Sequence, residues 1–418
     1  MLSAPETLTA LRSCVHCGIC LPQCPTYRAL GEEMDSPRGR LYLMRAVAEG
    51  RLDVTETFTR HLDLCLGCRA CETACPAGVP YGTILETARV EIERRGRPLG
   101  RRLLTAALFS VFPHPERMGP ALALARVYRR SGFQRLVRST RLLARWPRLA
   151  ALDALLDDVP EAESRGPEFL AARGRARGRV GLLTGCVQRH VYPGVNRDTA
   201  ALLSLAGWDV VAPRRQGCCG ALELHAGRLD AFRGRARALA AVFPDDLDWI
   251  VTNAAGCGAA LRDCARWLPD DPAAARLAAR TRDVSELLAE TDLPLGPLEA
   301  TVTYHDACHL VHGQRVRQAP RELLARVPGL RVVPLADSDL CCGSAGVYNI
   351  TEPEMAERLL EMKVARIRET GASSVVAGNP GCLLQIAKGC RARGLTVEVL
   401  HTVTLLARAA GLEEARTR

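Results

Sequence analysis

Hydrophobic residues change their spacing along the chain, from a helical period in the first 95 residues to short β-rich runs after residue 179. In the first region, apolar residues recur at helical spacing in Leu41–Glu49 and Val54–Leu64, and a third helix is predicted over Gly82–Arg95. The segment Asp35–Arg40 predicts a turn and an N-cap before the first of these helices. This part of the chain is therefore predicted to be an α-helical domain.

After residue 179, six short runs rich in β-branched residues alternate with helical patterns. The runs are Val180–Thr184, Trp208–Val211, Trp249–Thr252, Thr301–Tyr304, Leu330–Val333 and Ser374–Ala377. Asn196–Ala206 and Glu354–Thr370 predict two of the helices. For the second helix, Thr351 and Glu354 predict a capping box, and Gly371 predicts the end. Alternation of strand and helix predicts parallel β/α units.

The spacing of cysteines shows that these units form two copies of one domain. Matching cysteines of the two copies are separated by 122 to 125 residues. The predicted fold class is α/β, with an N-terminal α-helical domain followed by two tandem parallel β/α cysteine-rich repeats. We place the helical domain at residues 1–95, a basic helical segment and linker at 96–178, and the repeats at 179–295 and 296–418.

Charge is concentrated in the segment between the domains. The chain has a formal net charge of +10, and Arg94–Arg148 contains fourteen arginines but a single acidic residue, Glu116. Arginines interleaved with apolar residues are typical of a helix on an anionic membrane surface. A docking face for an acidic subunit and an ordinary solvated face are the alternatives. No recognition motif accompanies the charge, so we expect no binding to nucleic acid.

The sequence predicts neither a membrane span nor a signal peptide. No apolar run reaches the roughly 18 residues that a membrane-spanning helix requires, and Met1–Ser13 lacks a cationic region followed by an apolar core. Eighteen cysteines are better suited to metal ligation in a reducing compartment than to disulfides. We therefore expect a cytoplasmic protein, either free or peripheral on the inner face of the cell membrane.

The run C-x2-C-x2-C-x3-C-P occurs twice in the first eighty residues. Its members are Cys14, Cys17, Cys20, Cys24 and Pro25, then Cys65, Cys68, Cys71, Cys75 and Pro76. Such runs hold two iron–sulfur clusters, and the fourth cysteine of each run ligates the other cluster. The rule assigns Cys14, Cys17, Cys20 and Cys75 to one [4Fe-4S] cluster, and Cys24, Cys65, Cys68 and Cys71 to the second. Structural zinc would leave part of each run unexplained.

A second set of cysteines recurs in the two repeats. Its members are Cys186, Cys218, Cys219 and Cys257 in the first repeat, and Cys308, Cys341, Cys342 and Cys382 in the second. Each lies after a predicted strand, where ligands collect in parallel sheets, so four thiols are expected to converge on one pocket per repeat. A further cluster or metal is the favoured interpretation. Burial as small apolar residues is the alternative, and it better suits Cys264 and Cys390.

With these motifs in place, the chain resembles the iron–sulfur subunits of glycolate oxidase over nearly its whole length. Matching segments include Tyr304–Leu310 and Gly217–His225. The resemblance implies a helical ferredoxin domain in an electron-transfer subunit. It also implies that FAD-binding oxidase subunits donate electrons from a 2-hydroxy acid and that the quinone pool or another membrane-side acceptor receives them. No GxGxxG opens a βαβ unit here, so FAD is expected on the partner, and the isolated chain is not expected to oxidise glycolate.

Related families supply alternatives. Subunits of lactate and glycerol-3-phosphate dehydrogenases are similar, and so is the catalytic subunit of heterodisulfide reductase, which has a cluster active site of its own. In that subunit each repeat ends in C-x2-C, whereas Ala260 and Gln385 stand at the corresponding positions here. The departure argues against the same disulfide chemistry. His305 or His309 is a candidate fourth ligand for another metal, while His309 and His225 are candidate hydrogen-bond donors to a cluster or ordinary structural histidines.

Overall fold

The N-terminal region is a small helical domain, as predicted. The computed structural model describes residues 2–140, 142–158 and 166–412. The helices of this domain are α1 Pro5–Arg12, α2 Pro25–Leu30, α3 Pro37–Ala48, α4 Glu56–Asp63, α5 Ala70–Thr73 and α6 Tyr81–Arg95, with a 3-10 turn at Glu33–Asp35. The hydroxyl of Ser36 accepts a hydrogen bond from the amide of Gly39 at 3.0 Å, which confirms the predicted N-cap. Met44, Phe58 and Leu62 are fully buried between the helices.

The basic segment folds into four further helices. They are α7 Leu99–Val111, α8 Pro115–Arg130, α9 Phe133–Ser139 and α10 Pro147–Leu155, with 3-10 turns at Leu142–Arg145 and Leu156–Asp158. Leu108 and Phe109 pack against Ile350 of the second repeat, whereas Leu103 and Leu124 are 62% and 71% exposed. Part of the apolar surface of this segment is therefore covered by the protein and part faces outward. Within the described residues, no helix is long and apolar enough to cross a membrane.

Two sheets follow, and the four parallel strands of each have the same order. The first contains β1 Phe169–Leu170, β2 Gly178–Leu183, β3 Trp208–Val211, β4 Trp249–Thr252 and β5 Thr281–Asp283. The second contains β6 Ala300–His305, β7 Leu330–Val333, β8 Ser374–Ala377 and β9 Glu398–His401. The orders are β1-β3-β2-β4-β5 and β7-β6-β8-β9, and every pairing is parallel except that of β1 with β3. The predicted tandem β/α repeats are confirmed.

Helices cover the sheets. In the first repeat they are α11 Gln188–Val191, α12 Pro193–Leu205, α13 Ala221–His225, α14 Leu229–Ala240, α15 Ala255–Arg262, α16 Cys264–Trp267, α17 Pro272–Arg280 and α18 Val284–Ala289. In the second they are α19 Gln318–Ala325, α20 Tyr348–Thr351, α21 Pro353–Thr370, α22 Pro380–Ala392 and α23 Thr402–Ala409, with a π-helical turn at His309–Gly313.

The structure differs from the sequence-based expectation at one capping box and at three short strands. The capping box before α21 is wrong, because Thr351 belongs to the preceding helix α20 and the N-cap, Glu352, makes no side-chain capping hydrogen bond. The end of α21 at Gly371, in the left-handed region at φ 62°, is confirmed. Strands β5 and β9 were not predicted, and neither was β1, which lies inside the segment read as linker.

The two repeats pack against each other in a reciprocal way. Helix α12, which follows the first parallel strand of repeat one, packs on α23, which follows the last strand of repeat two. Helices α18 and α19 make the converse pair. Leu203, Leu324 and Leu406 are fully buried in the resulting common core. The carboxyl ends of both sets of strands are thereby brought to one interior region.

Candidate functional site

The two N-terminal cysteine motifs have the same backbone conformation. Two residues in each motif adopt the left-handed region: His16 (φ 55°) and Gly18 (φ 85°) in the first, and Gly67 (φ 65°) and Arg69 (φ 64°) in the second. They occupy matching positions, the third and fifth residues of each motif. A side chain in this region costs about 1–2 kcal/mol, so its recurrence indicates that both loops are curled in the same way around their cysteines.

The first predicted cluster site combines three thiols of the first motif with one of the second. Cys14, Cys17, Cys20 and Cys75 line a single cavity of about 30 Å³, which Cys71 of the second set also lines. Burial, followed by the thiolate of Cys14, raises the pKa of Cys20 to about 11. Cys17 is exposed. The arrangement brings together the four residues that the crossed-ligand rule predicts for one cluster.

The second predicted set is buried and lies beside a buried cation. Cys24, Cys65, Cys68 and Cys71 are all buried. Burial, together with neighbouring thiolates of the set, raises the pKa of Cys71 well above its usual value. The guanidinium of Arg40, fully buried, donates to the hydroxyl of Thr26 at 3.0 Å and lies 4.0 Å from the Cys24 sulfur. Sets of four thiols with no carboxylate among them fit iron–sulfur clusters, which bind through cysteine thiolates.

In the first repeat, the four predicted cysteines form a continuous chain of thiol contacts. The sulfurs of Cys186 and Cys218 are 3.2 Å apart. The side chains of Cys218 and Cys257 adjoin Cys219 and raise its pKa. The thiol of Cys186, which donates to Cys218, lowers the pKa of Cys218.

The second repeat repeats this arrangement and adds a histidine. The side chains of Cys308 and Cys342 raise the pKa of Cys341, and the neighbouring side chains of Cys341, Cys382 and His305 lower the pKa of Cys342. The ligand atoms of His305, Cys342 and Cys382 all lie within 4.8 Å of one another, which is a metal-binding spacing. His305 is thus the histidine that joins a thiol set.

The two thiol sets share one cavity, which differs from the predicted pocket in each repeat. A cavity of about 170 Å³ lies between the repeats. Its lining includes Cys186, Cys218, Cys219 and Cys257 from repeat one and Cys308 and Cys382 from repeat two. The cause is the reciprocal packing of the repeats, which points both carboxyl edges inward.

His225 and His309 line the same cavity and connect it to the helical domain. The Nε2 atom of His309 is 3.1 Å from the carbonyl oxygen of Gly67, and the Nδ1 atom of His225 is 3.2 Å from a carboxylate oxygen of Glu86. Their rings meet edge to face with centroids 4.9 Å apart. Burial, followed by the charge of His225, lowers the pKa of His309 to about 3. Both residues therefore lie where three parts of the chain meet.

Sequence reasoning did not predict the contact between the second N-terminal motif and repeat two. Cys68 and Cys341 share one hydrophobic core with Leu66, and Cys308 packs against that core. Burial raises the pKa of Cys68 well above its usual value, and the thiolate of Cys308 is the next cause. No local pattern signals a contact between residues so far apart in the sequence, so only the folded chain could reveal it.

The residues that replace the fifth cysteine of each repeat are buried. Ala260 is 3% exposed and Gln385 is fully buried. The side-chain oxygen of Gln385 accepts a hydrogen bond from Asn349 at 3.3 Å, whereas its amide nitrogen has no partner among the described residues. A methyl group and an amide thus stand at the positions of two absent thiols.

Together, the helical domain with its two cysteine motifs and the duplicated β/α domain define an iron–sulfur protein with a pair of cysteine-rich domains. Comparison with known families agrees: residues 10–79 match the 4Fe-4S dicluster domain, and residues 180–262 and 302–387 each match the cysteine-rich domain. Residues 100–156 match the linker region of the glycolate oxidase iron–sulfur subunit.

Similar curated proteins cover almost the whole chain. The probable glycolate oxidase iron–sulfur subunit of Bacillus subtilis is 41% identical, over 96% of this chain and 94% of the relative. The glycolate oxidase iron–sulfur subunit of Escherichia coli is 34% identical, over 93% and 92%. A subunit of the fumarate reductase (CoM/CoB) of Methanothermobacter marburgensis is 29% identical, over 95% and 72%. The chain belongs to the family of glycolate oxidase iron–sulfur subunits.

Proposed function

We propose that this chain is the iron–sulfur electron-transfer subunit of a flavoprotein glycolate oxidase and passes electrons from FAD-binding subunits toward the quinone pool. The observation that carries the proposal is the succession of thiol sets, from the exposed Cys17 through the buried Cys68 to Cys308 of repeat two. Clusters bound there would supply one-electron redox chemistry. Proximity between adjacent sets is what a route for single electrons requires.

The chain's own residues keep these sites dry and in position. Leu66 closes the second motif against repeat two at 5% exposure. The Tyr348 hydroxyl donates to the carbonyl of Leu64 at 2.9 Å, and Arg28 forms a bidentate ion pair with Asp337 at 2.8 and 2.9 Å. These contacts hold the helical domain on repeat two, and exclusion of water is one of the factors that set cluster potentials.

The proposal is tested by purifying the chain anaerobically with and without FAD-binding glycolate oxidase subunits. Glycolate should reduce a short-chain quinone only when the flavin-bearing subunits are present. Reduction by the isolated, cluster-loaded chain would contradict the proposal. Parallel assays with lactate and glycerol-3-phosphate decide between glycolate and the substrates of similar dehydrogenases, and faster turnover of either would overturn the choice of glycolate.

We propose that two [4Fe-4S] clusters bind to the N-terminal cysteines and a further cluster or metal to the repeats. Iron and acid-labile sulfide per chain distinguish the possibilities. About eight of each corresponds to the N-terminal pair alone. A clearly higher count, reduced by Cys341→Ser but not by Cys264→Ser, is the expected result and would assign the excess to the repeat set.

On the acceptor side, we propose peripheral contact of the linker helices with the inner face of the cell membrane. A cleft of about 790 Å³ lies between the linker and Leu64, the residue that precedes Cys65. Its lining includes four arginines, two glutamates and three apolar residues: Arg60, Arg145, Arg148, Arg358, Glu352, Glu354, Leu104, Trp146 and Leu149. A cleft of this volume is within the range of small-molecule sites, and its arginines suit anionic headgroups.

Vesicle binding tests the membrane contact. The chain should sediment with vesicles that contain anionic phospholipid and not with neutral vesicles, and binding should weaken at high salt. Leu124 and Val127 are 71% and 62% exposed on α8, so the double variant Leu124→Gln/Val127→Gln should weaken binding further. Equal binding of variant and parent would contradict contact through this helix.

A second candidate is an enzyme that reduces a disulfide at its own cluster, as in heterodisulfide reductase. The observation in its favour is the 170 Å³ cavity between two thiol sets, which is large enough for a small substrate. Turnover of small disulfides by the isolated chain with reduced viologen as donor would support this candidate. Its absence in cluster-loaded protein would leave electron transfer as the function.

A further inference from the structure

The first N-terminal motif carries apolar side chains that face outward. Val15 is 72% exposed and Ile19 is 52% exposed, and Cys17, the exposed thiol, lies between them in the motif. Met34 and Tyr42 are 40% and 49% exposed. We call Val15, Ile19, Met34 and Tyr42 the first-motif patch.

The second motif shows what happens to the same positions when they are covered. Leu66 corresponds to Val15 and Ala70 to Ile19, and both are only 5% exposed. They are buried in a core with Tyr348 of repeat two. Since the two loops share their left-handed positions, their backbones present these side chains alike. The difference lies in the cover, which in the second motif is another redox domain.

The first-motif patch is an ordered surface. The ring of His16 meets the ring of Tyr42 edge to face with centroids 6.2 Å apart. Arg38 donates to the carbonyl of His16 at 3.2 Å and to the carboxylate of Glu33 at 2.7 Å. These contacts fix the loop that carries Val15, so a partner would meet a preformed surface. Rigid apolar surface around one central group is typical of protein interfaces.

Charge separates this patch from the linker. The arginines beside it are paired: Arg38 with Glu33 at 2.7 Å, and Arg51 with Glu49 at 2.8 Å. The linker instead has a large excess of arginine over acid between residues 94 and 148, although Arg97, Arg101 and Arg138 are paired with acidic residues outside that segment. An anionic membrane attracts a segment with excess positive charge. The charge balance at the first-motif patch therefore favours a protein partner over a lipid surface.

We propose that the first-motif patch is the docking surface for the FAD-binding subunit, so that electrons enter the chain beside Cys17. This inference rests on the proposed function. The partner surface is expected to be apolar and to cover Val15 and Ile19 as repeat two covers Leu66 and Ala70. The redox group of the partner would then face the first cluster site through a dry contact.

The test is a pair of matched double variants in the cluster-loaded chain. Val15→Gln/Ile19→Gln removes two exposed apolar side chains of the patch without adding charge. Leu124→Gln/Val127→Gln removes two of similar exposure from the linker. Binding to the purified FAD-binding subunits is measured by titration, and iron content and the spectrum after dithionite reduction show that the clusters are intact.

The patch variant should raise the dissociation constant at least tenfold, and the linker variant should leave it unchanged. Normal binding by the patch variant, with or without weaker binding by the linker variant, would overturn the docking assignment. If the patch variant bound the flavoprotein normally but lost quinone reduction, the patch would face the acceptor instead. Failure of the parent chain to bind FAD-binding subunits at all would refute the proposed function, a distinguishable result.

Discussion

The two cysteine-rich repeats have the same strand order and the same chain of thiol contacts, but their surroundings differ. The repeat-two thiols Cys308 and Cys341 adjoin the core that contains Cys68 of the helical domain. The repeat-one thiols Cys218 and Cys219 pack with Val90 of α6. The two copies therefore share the arrangement of their thiol sets but differ in how the helical domain packs against them.

Each repeat also holds a buried cation near its thiols, an arginine in one and a lysine in the other. Lys363 is 1% exposed, and its ammonium group donates to the carbonyls of Asp337 and Ser338 in the loop before Cys341. In repeat one, Arg189 is 8% exposed and donates to the carbonyls of Gly185 and Gln216, in the loops before Cys186 and Cys218. Arg235, near Cys218, is paired with the buried carboxylate of Glu223. A positive charge held by carbonyls behind each thiol set favours negative charge on that set.

The largest expected effect comes from removing one thiol pair at a time. Cys341→Ser/Cys342→Ser should lower the rate of glycolate-driven quinone reduction in the complex more than tenfold, because repeat two adjoins the second motif. Cys218→Ser/Cys219→Ser should lower it much less. Stopped-flow kinetics measures the rates, and dithionite-reduced spectra verify that the N-terminal clusters remain. Equal losses in both variants would show that the repeats act as one unit.

The two lysines of the chain allow the buried cation to be isolated. Lys363→Met leaves two carbonyls without their charged donor and should lower the free energy of unfolding by about 3 kcal/mol. Lys388 is paired with Glu357 at 3.0 Å near the surface, so Lys388→Met should cost less than about 1 kcal/mol. Chemical denaturation under anaerobic conditions measures both. Similar losses of unfolding free energy in the two variants would contradict a larger contribution of Lys363 to stability.

A third contrast concerns the residue at the end of the last strand of each repeat. Asp283 and His401 both cap the following helix: Asp283 accepts from the amide of Ser285 at 2.9 Å, and His401 accepts from that of Val403 at 3.2 Å. Burial raises the pKa of Asp283 from 3.8 to about 6 and lowers the pKa of His401 from 6.5 to about 4. The same position therefore titrates in opposite senses.

The signs give a pH test. The contribution of Asp283 to folding stability is present below pH 3.8 and is lost as the pH rises through 6. The contribution of His401 to folding stability is present above pH 6.5 and is lost as the pH falls through 4. When the pH falls from 7 to 5, His401 should lower the free energy of unfolding of the parent chain by about 2 kcal/mol, and His401→Asn should abolish this loss. Over the same range, Asp283 should raise the free energy of unfolding by about 1 kcal/mol, and Asp283→Asn should abolish this gain. Denaturation midpoints across this range are compared with the parent chain. Parallel pH profiles in all three proteins would contradict the opposed titrations.

The smallest effects are expected at the two cysteines outside the sets. Cys264 and Cys390 are both buried, and burial raises their pKa values to about 12 and about 11. Cys264→Ala and Cys390→Ala should each cost about 1 kcal/mol of unfolding free energy as small apolar truncations. Iron per chain should not change. Loss of iron in either variant would add that residue to the ligands of its repeat.

Local patterns predicted the elements well where burial dictates them. Strands such as Ser374–Ala377, buried along their whole length, leave an uninterrupted apolar run that the sequence displays. Strand β5, Thr281–Asp283, has three residues, two of them charged, and therefore resembles a loop. The capping box failed because Thr351 also suits the end of a short helix, and only the tertiary structure decides between the two.

The candidate site also has features that local sequence patterns predict and features that depend on tertiary packing. The membership of each thiol set followed from spacing, because cysteines at strand ends must meet at one edge of a sheet. The single shared cavity and the proximity of Cys68 to Cys308 depend on how domains pack. Packing of this kind rests on contacts such as Arg69 with Asp263 at 2.6 Å, which join residues far apart in sequence and leave no periodic signal.

The reciprocal contact between the repeats has the form of a two-fold dimer whose subunits are joined in one chain. Gly256 of repeat one donates from its amide to the side chain of Asn379 in repeat two at 3.3 Å, so each copy completes the environment of the other. In a dimer of identical subunits, every position around the axis must hold the same residue twice. Covalent fusion removes that constraint, and the aspartate and histidine at positions 283 and 401 are a difference that no symmetric assembly could contain.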